Sequence, residues 1–388
     1  GTVKSDFDFG STIQSSKRFL VTKQVPRVSV IVAAYNAERF MRSALEDLEA
    51  QTIAEDIEII IVETGSQTEE YKIIAEFQAR YSNIIYVRTS KRVNPAAACN
   101  LGIRMARGRY ITLGPTDDRR RNDALEVLAG ELDRQQDTAL VYGDVFVTNF
   151  ENQRFATHIR CGYHIRPDYS PEIMLSGCHM GPQAMWRKSL HEEVGYFDET
   201  LESATDYEFW CRIAQRYPLK HLSSFLGLYY ENPQGVINSN QKRAHQETLA
   251  VQQAYRNRFP SPKEAYINNF QYQGNVHEGK FVNIGMVTFN RMDFTKAAIA
   301  SLVKYTCYPH KLTVVDNGSS DGTREYLKGL QREGIITHLI LLETNVGIAK
   351  ASNLAWSQEP DVEFYLKLDN DIVLQKPNCF SDMVDVLD

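Results

Sequence analysis

Apolar positions between Arg27 and about Asp144 follow two rhythms in alternation. Val28 to Ala33 is an unbroken apolar run of strand length. After Asn36, Phe40, Ala44, Leu45 and Leu48 fall on one helical face. The pattern next predicts a strand over 57–62, a helix around 71–81, a strand over 84–88, a helix over 96–106 and a strand over 110–113. Strands alternating with helices mean βαβ units and a mostly parallel sheet. Ligands of such sheets sit beyond the carboxyl ends of the strands. Glu63, Asp117 and Asp118 each follow a strand, so they share that rim.

The same rhythm returns about 253 residues later. VSVIVAAYNAERFMRSALEDL (28–48) is answered by VNIGMVTFNRMDFTKAAIASL (282–302), and IEIIIVETGS (57–66) by HKLTVVDNGS (310–319). Asn100 answers to Asn353, and ITLGPTDD (111–118) lines up with YLKLDND (365–371). A repeat this long is a duplicated domain, because solenoid units recur every 20 to 50 residues or so. Residues 1–26 are a polar N-terminal arm, 27–258 a complete first module, 259–280 a linker without apolar periodicity, and 281–388 the first half of a second module. Residues 145–258 have no counterpart in the second copy, which stops 17 residues past Asp371 where a whole copy would need about another 110. The chain is either a trimmed piece or a natural half-module.

Composition narrows the function classes. With 43% hydrophobic and 24% charged residues the chain is an ordinary globular one. Its net charge of −6 offers no global attraction to nucleic acid or an acidic membrane. Six cysteines without framework spacing suit a reducing compartment. Cys161, His164, Cys178 and His179 are poorly spaced for zinc. No signal peptide opens the chain and no apolar run reaches about 18 residues. The expected location is cytoplasmic, without a transmembrane segment, which leaves room for peripheral membrane association. The run Arg119-Arg120-Arg121 is either a solvated loop or, since it abuts an acidic pair, a phosphate contact.

The candidate chemistry lies at strand ends. Asp369-Asn370-Asp371 is delivered to the rim by the apolar strand FYLKL, whereas the similar Asp6-Phe7-Asp8 has no strand before it. Two carboxylates one residue apart can share a hard divalent cation such as Mg²⁺ or Mn²⁺, which completes its shell with substrate phosphate. In the first copy the triplet reads Thr116-Asp117-Asp118, keeping the last acid. Glu63 and Asp316, in VETGS and VDNGS, either accept from an N–H of a base or form an Asx-type turn into Gly65 and Gly318. Asn36 and Asn290 suit helix caps better than ligands. The backbone just before them, Ala34 and Tyr35 in one copy and Thr288 in the other, is placed to line a base pocket. Asn345 and Gly347 resemble a loop that lets backbone approach a ligand closely. In 195–213, Ser203 or Thr205 would cap a helix and Asp206 would sit in its first turn. That acid either complements the helix dipole or acts as a general base on an acceptor hydroxyl.

Taken together, VSVIVAAYN, IIIVETGS, ACNLGIRMARGRYI, TDD and VGYFDETL…ATDYEFWCRI resemble glycosyltransferase family 2 over about residues 27–235 and again 281–388. The resemblance implies an α/β fold of two tandem GT-A domains, Rossmann-like with a mostly parallel sheet and flanking helices, the second truncated. It implies that Glu63 and Asp316 contact a base. Asp117 and Asp369 would hold the nucleotide sugar, together with Ala34, Tyr35, Asn100, Thr288, Asn290 and Asn353. Asp118 and Asp371 would be metal ligands for Mn²⁺ or Mg²⁺, and Asp206 the catalytic base. Glu63 departs from the usual Asp, Thr205 from a usual Glu, and Asn232-Pro233 stands where many members carry a His that serves as a third metal ligand.

The implied function is an inverting, metal-dependent hexosyl or N-acetylhexosaminyl transfer from a nucleotide-diphosphate sugar, UDP-linked, to a glycan or other hydroxyl acceptor. Tandem modules of this kind resemble bacterial polysaccharide-building enzymes. The alternatives are a bifunctional two-module polysaccharide synthase and a degenerate, non-catalytic nucleotide-binding scaffold.

Overall fold

The computed structural model describes residues 12–15, 25–181, 183–260, 269–272, 280–306, 308–375 and 379–387. The elements, in chain order, begin with β1 (Thr12–Ser15), β2 (Val28–Ala34), α1 (Glu38–Glu49), β3 (Ile57–Thr64), α2 (Glu70–Arg80), β4 (Ile84–Thr89), α3 (Pro95–Met105) and β5 (Tyr110–Leu113). There follow β6 (Arg119–Arg120), α4 (Ala124–Arg134), β7 (Leu140–Thr148), β8 (Gly162–Ile165), β9 (Met185–Arg187), α5 (Leu190–Val194), α6 (Thr205–Ala214), β10 (Leu219–Tyr230), α7 (Val236–Ser239), α8 (Gln241–Tyr255) and β11 (Asn269–Tyr272). The repeat supplies β12 (Val282–Thr288), α9 (Met292–Tyr305), β13 (His310–Asp316), α10 (Thr323–Arg332), β14 (His338–Leu341), α11 (Ile348–Trp356), β15 (Phe364–Lys367) and α12 (Cys379–Leu387).

The chain forms two compact units. The first comprises 1–144, 165–223 and 232–268; the second comprises 145–164, 224–231 and 269–388. Residues 145–164 and 224–231, read from the sequence as part of the first module, fall in the second unit. The run 269–272, read as linker, is a strand that pairs with β8.

In the first unit β2, β3, β4 and β5 are mutually parallel, in the order β4-β3-β2-β5. All eight residues of β3 are buried. A parallel sheet covered on both faces selects such continuous Val/Ile runs. Helix α1 buries Phe40, Met41, Ala44, Leu45 and Leu48, the face predicted by spacing. At the start of α3, the Asn94 side chain accepts from the Ala97 N–H at 2.8 Å, with Pro95 in the first turn. Trp186 and Trp210 meet edge to face with centroids 5.2 Å apart, anchoring α6 to the core.

The second unit repeats this arrangement as a four-stranded sheet, β14-β13-β12-β15. Val28 lies opposite Tyr110 across β2 and β5, and Val282 lies opposite Phe364 across β12 and β15. Ala34 faces Glu63, and Thr288 faces Asp316. The repeat in sequence is therefore a repeat in register. Phe146, Phe155, Tyr163 and Leu228 share this unit's core with Ile284, Leu312 and Leu327.

Two capping expectations are corrected. Asn36 and Asn290 have left-handed backbones (φ 51° and 50°), and their side chains accept from Gln67 and Ser320 N–H groups across the rim. Neither caps a helix, because α1 and α9 start one residue later, after Ala37 and Arg291. Likewise neither Ser203 nor Thr205 caps α6 by its side chain. Instead Glu247, from α8, accepts the N–H groups of Glu202, Ser203 and Ala204, the Ser203 bond being 2.8 Å. A carboxylate 43 residues downstream does the work of a local cap. Among the described residues no helix is long and apolar enough to cross a membrane.

Candidate active site

Parallel pairing in register brings the ends of β2, β3 and β5 to one rim of the first unit, and each end carries a predicted site residue. Glu63, the penultimate residue of β3, is fully buried. Its Oε2 accepts from the Tyr86 hydroxyl, and its Oε1 lies 3.2 Å from Arg88 Nε. Arg88 is partly exposed, donates to the Ser66 carbonyl at 3.2 Å and lies 5.4 Å over the Tyr71 ring. Glu63 is thus an anchored acceptor with a guanidinium beside it. Burial and the Glu63 bond push the Tyr86 hydroxyl above its usual value, so it remains a donor. The ring of Tyr35 is covered by Arg92 at 4.2 Å. The following turn needs glycine: Gly65 has φ +61°, and a Cβ there would come 2.7 Å from the Arg92 backbone nitrogen.

The acidic pair after β5 is held by groups distant in sequence. Asp117 Oδ2 accepts from Asn232 Nδ2 at 2.8 Å, and Asn232 Oδ1 accepts from Gln234 N–H at 3.0 Å. Asp118 is 8% exposed, and Gln183 donates to its Oδ2 at 3.3 Å. The Asp117 and Asp118 carboxylates are hard oxygen donors, the kind that Mg²⁺ or Mn²⁺ takes before drawing further ligands from phosphate and water. No group of three His, Cys, Asp or Glu side chains gathers for a metal among the described residues.

The three arginines after the pair are buried rather than presented to a phosphate. Arg120 donates to the Leu113 and Gln183 carbonyls and to Thr112 Oγ1, and its N–H reaches Asp47. Burial lowers its pKa to about 10 and raises that of Asp47 to about 6. Asn100 likewise spends its amide inside the protein, exchanging hydrogen bonds of 2.9 Å with both backbone groups of Phe197 and donating to Glu199 at 2.8 Å. Those bonds pin the 197–199 loop against α3.

Asp206 stands in the first turn of α6, as spacing predicts. Its Oδ1 accepts from the Tyr207 N–H at 2.8 Å, and its Oδ2 accepts from the Cys178 thiol at 3.7 Å. Burial raises its pKa above the usual aspartate range, against the lowering effect of these donors and of Arg166. A carboxylate made more basic is suited to accept a proton.

In the second unit Asp316 is fully buried, accepts from the Ser319 N–H at 3.0 Å and lies 3.8 Å from Arg324. This Asx-type turn is the alternative that VDNGS left open. Asp369 is paired with Lys367, and Asp371 with Arg291 at 3.1 Å. Asn370 donates to Thr288 Oγ1 at 3.2 Å. Asn353 is exposed on α11. Gly347 has φ +85° and open space where a Cβ would stand. Sequence reading missed Arg88, Tyr86, Gln183, Glu247 and Arg324, and weighed Cys178 only as a zinc ligand. Only Arg88 had a local signal, as a charge ending an apolar strand.

The chain is 28% identical over 201 residues to a chondroitin synthase of Escherichia coli, covering 52% of this chain and 28% of that protein. It is 23% identical over 398 residues to an uncharacterized glycosyltransferase of Rickettsia bellii, covering 92% and 56%. Over 374 residues it is 23% identical to the uncharacterized protein y4gI of Sinorhizobium fredii, covering 92% and 40%. The chain therefore spans between about a quarter and just over half the length of these relatives. The Glycosyl transferase family 2 profile matches residues 29–195 and 283–388. With both copies matched, the duplicated rim is that of two tandem GT-A modules, and the chain belongs to glycosyl transferase family 2.

Proposed function

We propose that the first module is an inverting glycosyltransferase that moves a sugar from a nucleotide-diphosphate donor, UDP-linked, to a glycan hydroxyl. The observation that carries this reading is Asp206: a carboxylate with raised basicity at a helix N-terminus, in the unit whose rim bears Glu63, Asp117 and Asp118. Asp206 takes the proton of the acceptor hydroxyl as its oxygen attacks the anomeric carbon. The bond from that carbon to the diphosphate oxygen breaks, and the nucleoside diphosphate leaves with the electron pair. Uracil offers one N–H between two carbonyls, and the Glu63–Arg88 pair offers an acceptor beside donors. Asp118, with Asp117 and Asn232 beside it, would hold Mn²⁺ or Mg²⁺, which when bound neutralises charge on the departing diphosphate. That a similar protein is named a chondroitin synthase supports a glycan acceptor.

For the second module we propose nucleotide holding without transfer, because Lys367 and Arg291 neutralise both acids of its triplet. Calorimetric titration of UDP with Mn²⁺, repeated with the metal chelated, tests the donor. Metal-dependent binding is expected, and no binding in either condition overturns the UDP reading. Asp206→Asn tests the base, and transfer at near wild-type rate would remove it.

A further inference from the structure

Asp206 accepts hydrogen bonds on both oxygens, and the donors on the two differ in kind. The Tyr207 N–H on Oδ1 is part of the helix itself, so α6 supplies it in any sequence. The donor on Oδ2 is a side chain 28 residues upstream, the thiol of Cys178, and it is brought there by a shaped loop. Gly177 and Gly181 flank Cys178 with φ +147° and +68°, backbone conformations that L side chains rarely adopt. Ser176 Oγ and His179 Nε2 lie 2.6 Å apart across the thiol's own turn. A Cβ on Gly181 would come 3.0 Å from the Arg166 guanidinium, so a side chain there would crowd it.

We propose that Cys178 is a positioning residue for Asp206: its thiol orients the carboxylate through Oδ2 while taking little of its basicity. The proposal rests on the reading of Asp206 as the general base. A thiol is a weak donor, whereas a hydroxyl or amide N–H in the same place would stabilise the carboxylate more strongly and weaken the base. The groups facing Asp206 are the Tyr207 N–H on α6, Cys178 on the loop, Cys99 on α3 and the cation of Arg166. Burial and the charge of Asp206 hold the Cys178 thiol well above its ordinary pKa, so it stays protonated and donates. Cys178 keeps its proton and its oxidation state throughout the reaction, and the proton from the acceptor goes to Asp206.

A thiol that only fills space would affect stability and nothing else, and this separates the two roles. Carbon-13 NMR of aspartate carboxyls, with Asp206→Asn used to assign the signal, reads the titration of Asp206 without any ligand. Cys178→Ala removes the donor and should move the midpoint up by roughly half a pH unit. Cys178→Ser, nearly isosteric, supplies a stronger donor and should move it down by a similar amount. Midpoints of both variants on that of the wild type overturn the proposal, whatever happens to the melting temperature. If Cys178→Ala fails to fold, the downward shift in Cys178→Ser decides alone. Loss of the base reading is separate: turnover of a UDP-sugar by Asp206→Asn would remove it while leaving the carboxyl titration interpretable. With both intact, the acid limb of kcat/KM should follow the NMR midpoints, and KM for the UDP-sugar should stay unchanged.

Discussion

Acidification probes the core of the second unit, because two of its histidines stand where a proton is unwelcome. His158 is 2% exposed and His310 1%. Each sets Nδ1 against a backbone carbonyl, Phe155 at 2.7 Å and Tyr308 at 2.8 Å, so Nδ1 carries the hydrogen. Between them runs Arg160, also buried, which exchanges backbone hydrogen bonds with His310 and donates to the Gly334 and Ile335 carbonyls. Burial, then the Arg160 charge, pushes both imidazoles down to about 3 from an ordinary 6.5. A depressed folded pKa means stability that is present above 6.5 and lost as pH falls toward 3, since the unfolded chain takes protons that the folded one refuses. At pH 5 the penalty is about 2 kcal/mol per histidine, or about 4 kcal/mol for the pair, a large part of the ~5–15 kcal/mol that holds a domain together. The double variant His158→Asn, His310→Asn keeps a donor near each Nδ1 position and removes the titration. Hydrogen exchange of β12 and β13 at pH 7 and pH 5, corrected for intrinsic rates, is the assay. Wild-type protection should fall between the two pH values by about 4 kcal/mol more than that of the variant. An equal pH dependence in both proteins would refute the assignment of these neutral imidazoles.

Three further outcomes are expected. Glu247→Gln removes one charged acceptor from the Glu202–Ala204 N–H groups and the ion pair with Arg243, and should cost about 1–3 kcal/mol by urea unfolding. Burial alone would raise the Glu247 pKa, but the Ser203 N–H and Arg243 outweigh it and hold it low. Its contribution should therefore be present above the ordinary Glu range and fade as pH falls through it. Gly65→Ala meets both a positive φ and a 2.7 Å backbone contact; a loss of more than about 1 kcal/mol in thermal melts is expected, and a neutral result contradicts the tight turn. Asn232→Asp places a third carboxylate beside Asp117, so Mn²⁺ affinity measured by electron paramagnetic resonance should rise several-fold. Unchanged affinity would put the cation elsewhere.

Much of the fold was legible because its signals are local. Apolar runs gave β2 through β5 within two residues of their ends, and the spacing of Phe40, Ala44, Leu45 and Leu48 gave the buried face of α1. The repeat gave the second sheet. What escaped depends on partners far along the chain. Asn36 looks like a cap until its left-handed backbone turns the side chain toward Gln67, and Ser203 looks like one until Glu247 arrives from α8. The arginines at 119–121 look like a surface charge run, but their burial follows from carbonyls and an acid on other elements that accept from them. Sequence also divides the modules at 258, yet 145–164 packs its Phe146, Phe155 and Tyr163 into the second copy's core. Periodicity reports which face of an element is apolar and is silent on which core receives it.

The two copies separate backbone from chemistry. Their strands hold the same register to the residue, so each copy offers an acid at the end of its second strand and two acids after the strand that pairs beside the first. Backbone geometry alone would make the two rims equivalent. The side chains around them disagree. In the first copy the triplet's acids accept from amides, Asn232 and Gln183, and the buried Arg119 and Arg120 lie near enough to feel their charge. In the second they face Lys367 and Arg291, which offset it. An exposed ion pair contributes little to stability, about 0–1 kcal/mol, so these pairs are poorly explained as devices for holding the fold. They do lower the attraction for a divalent cation at the place where we propose that the first copy holds one. Asp316 retains its place on β13 but is closed into a turn by the Ser319 N–H and neighboured by Arg324. The two copies thus share one backbone frame, while different residues at a few rim positions surround its acids with different partners.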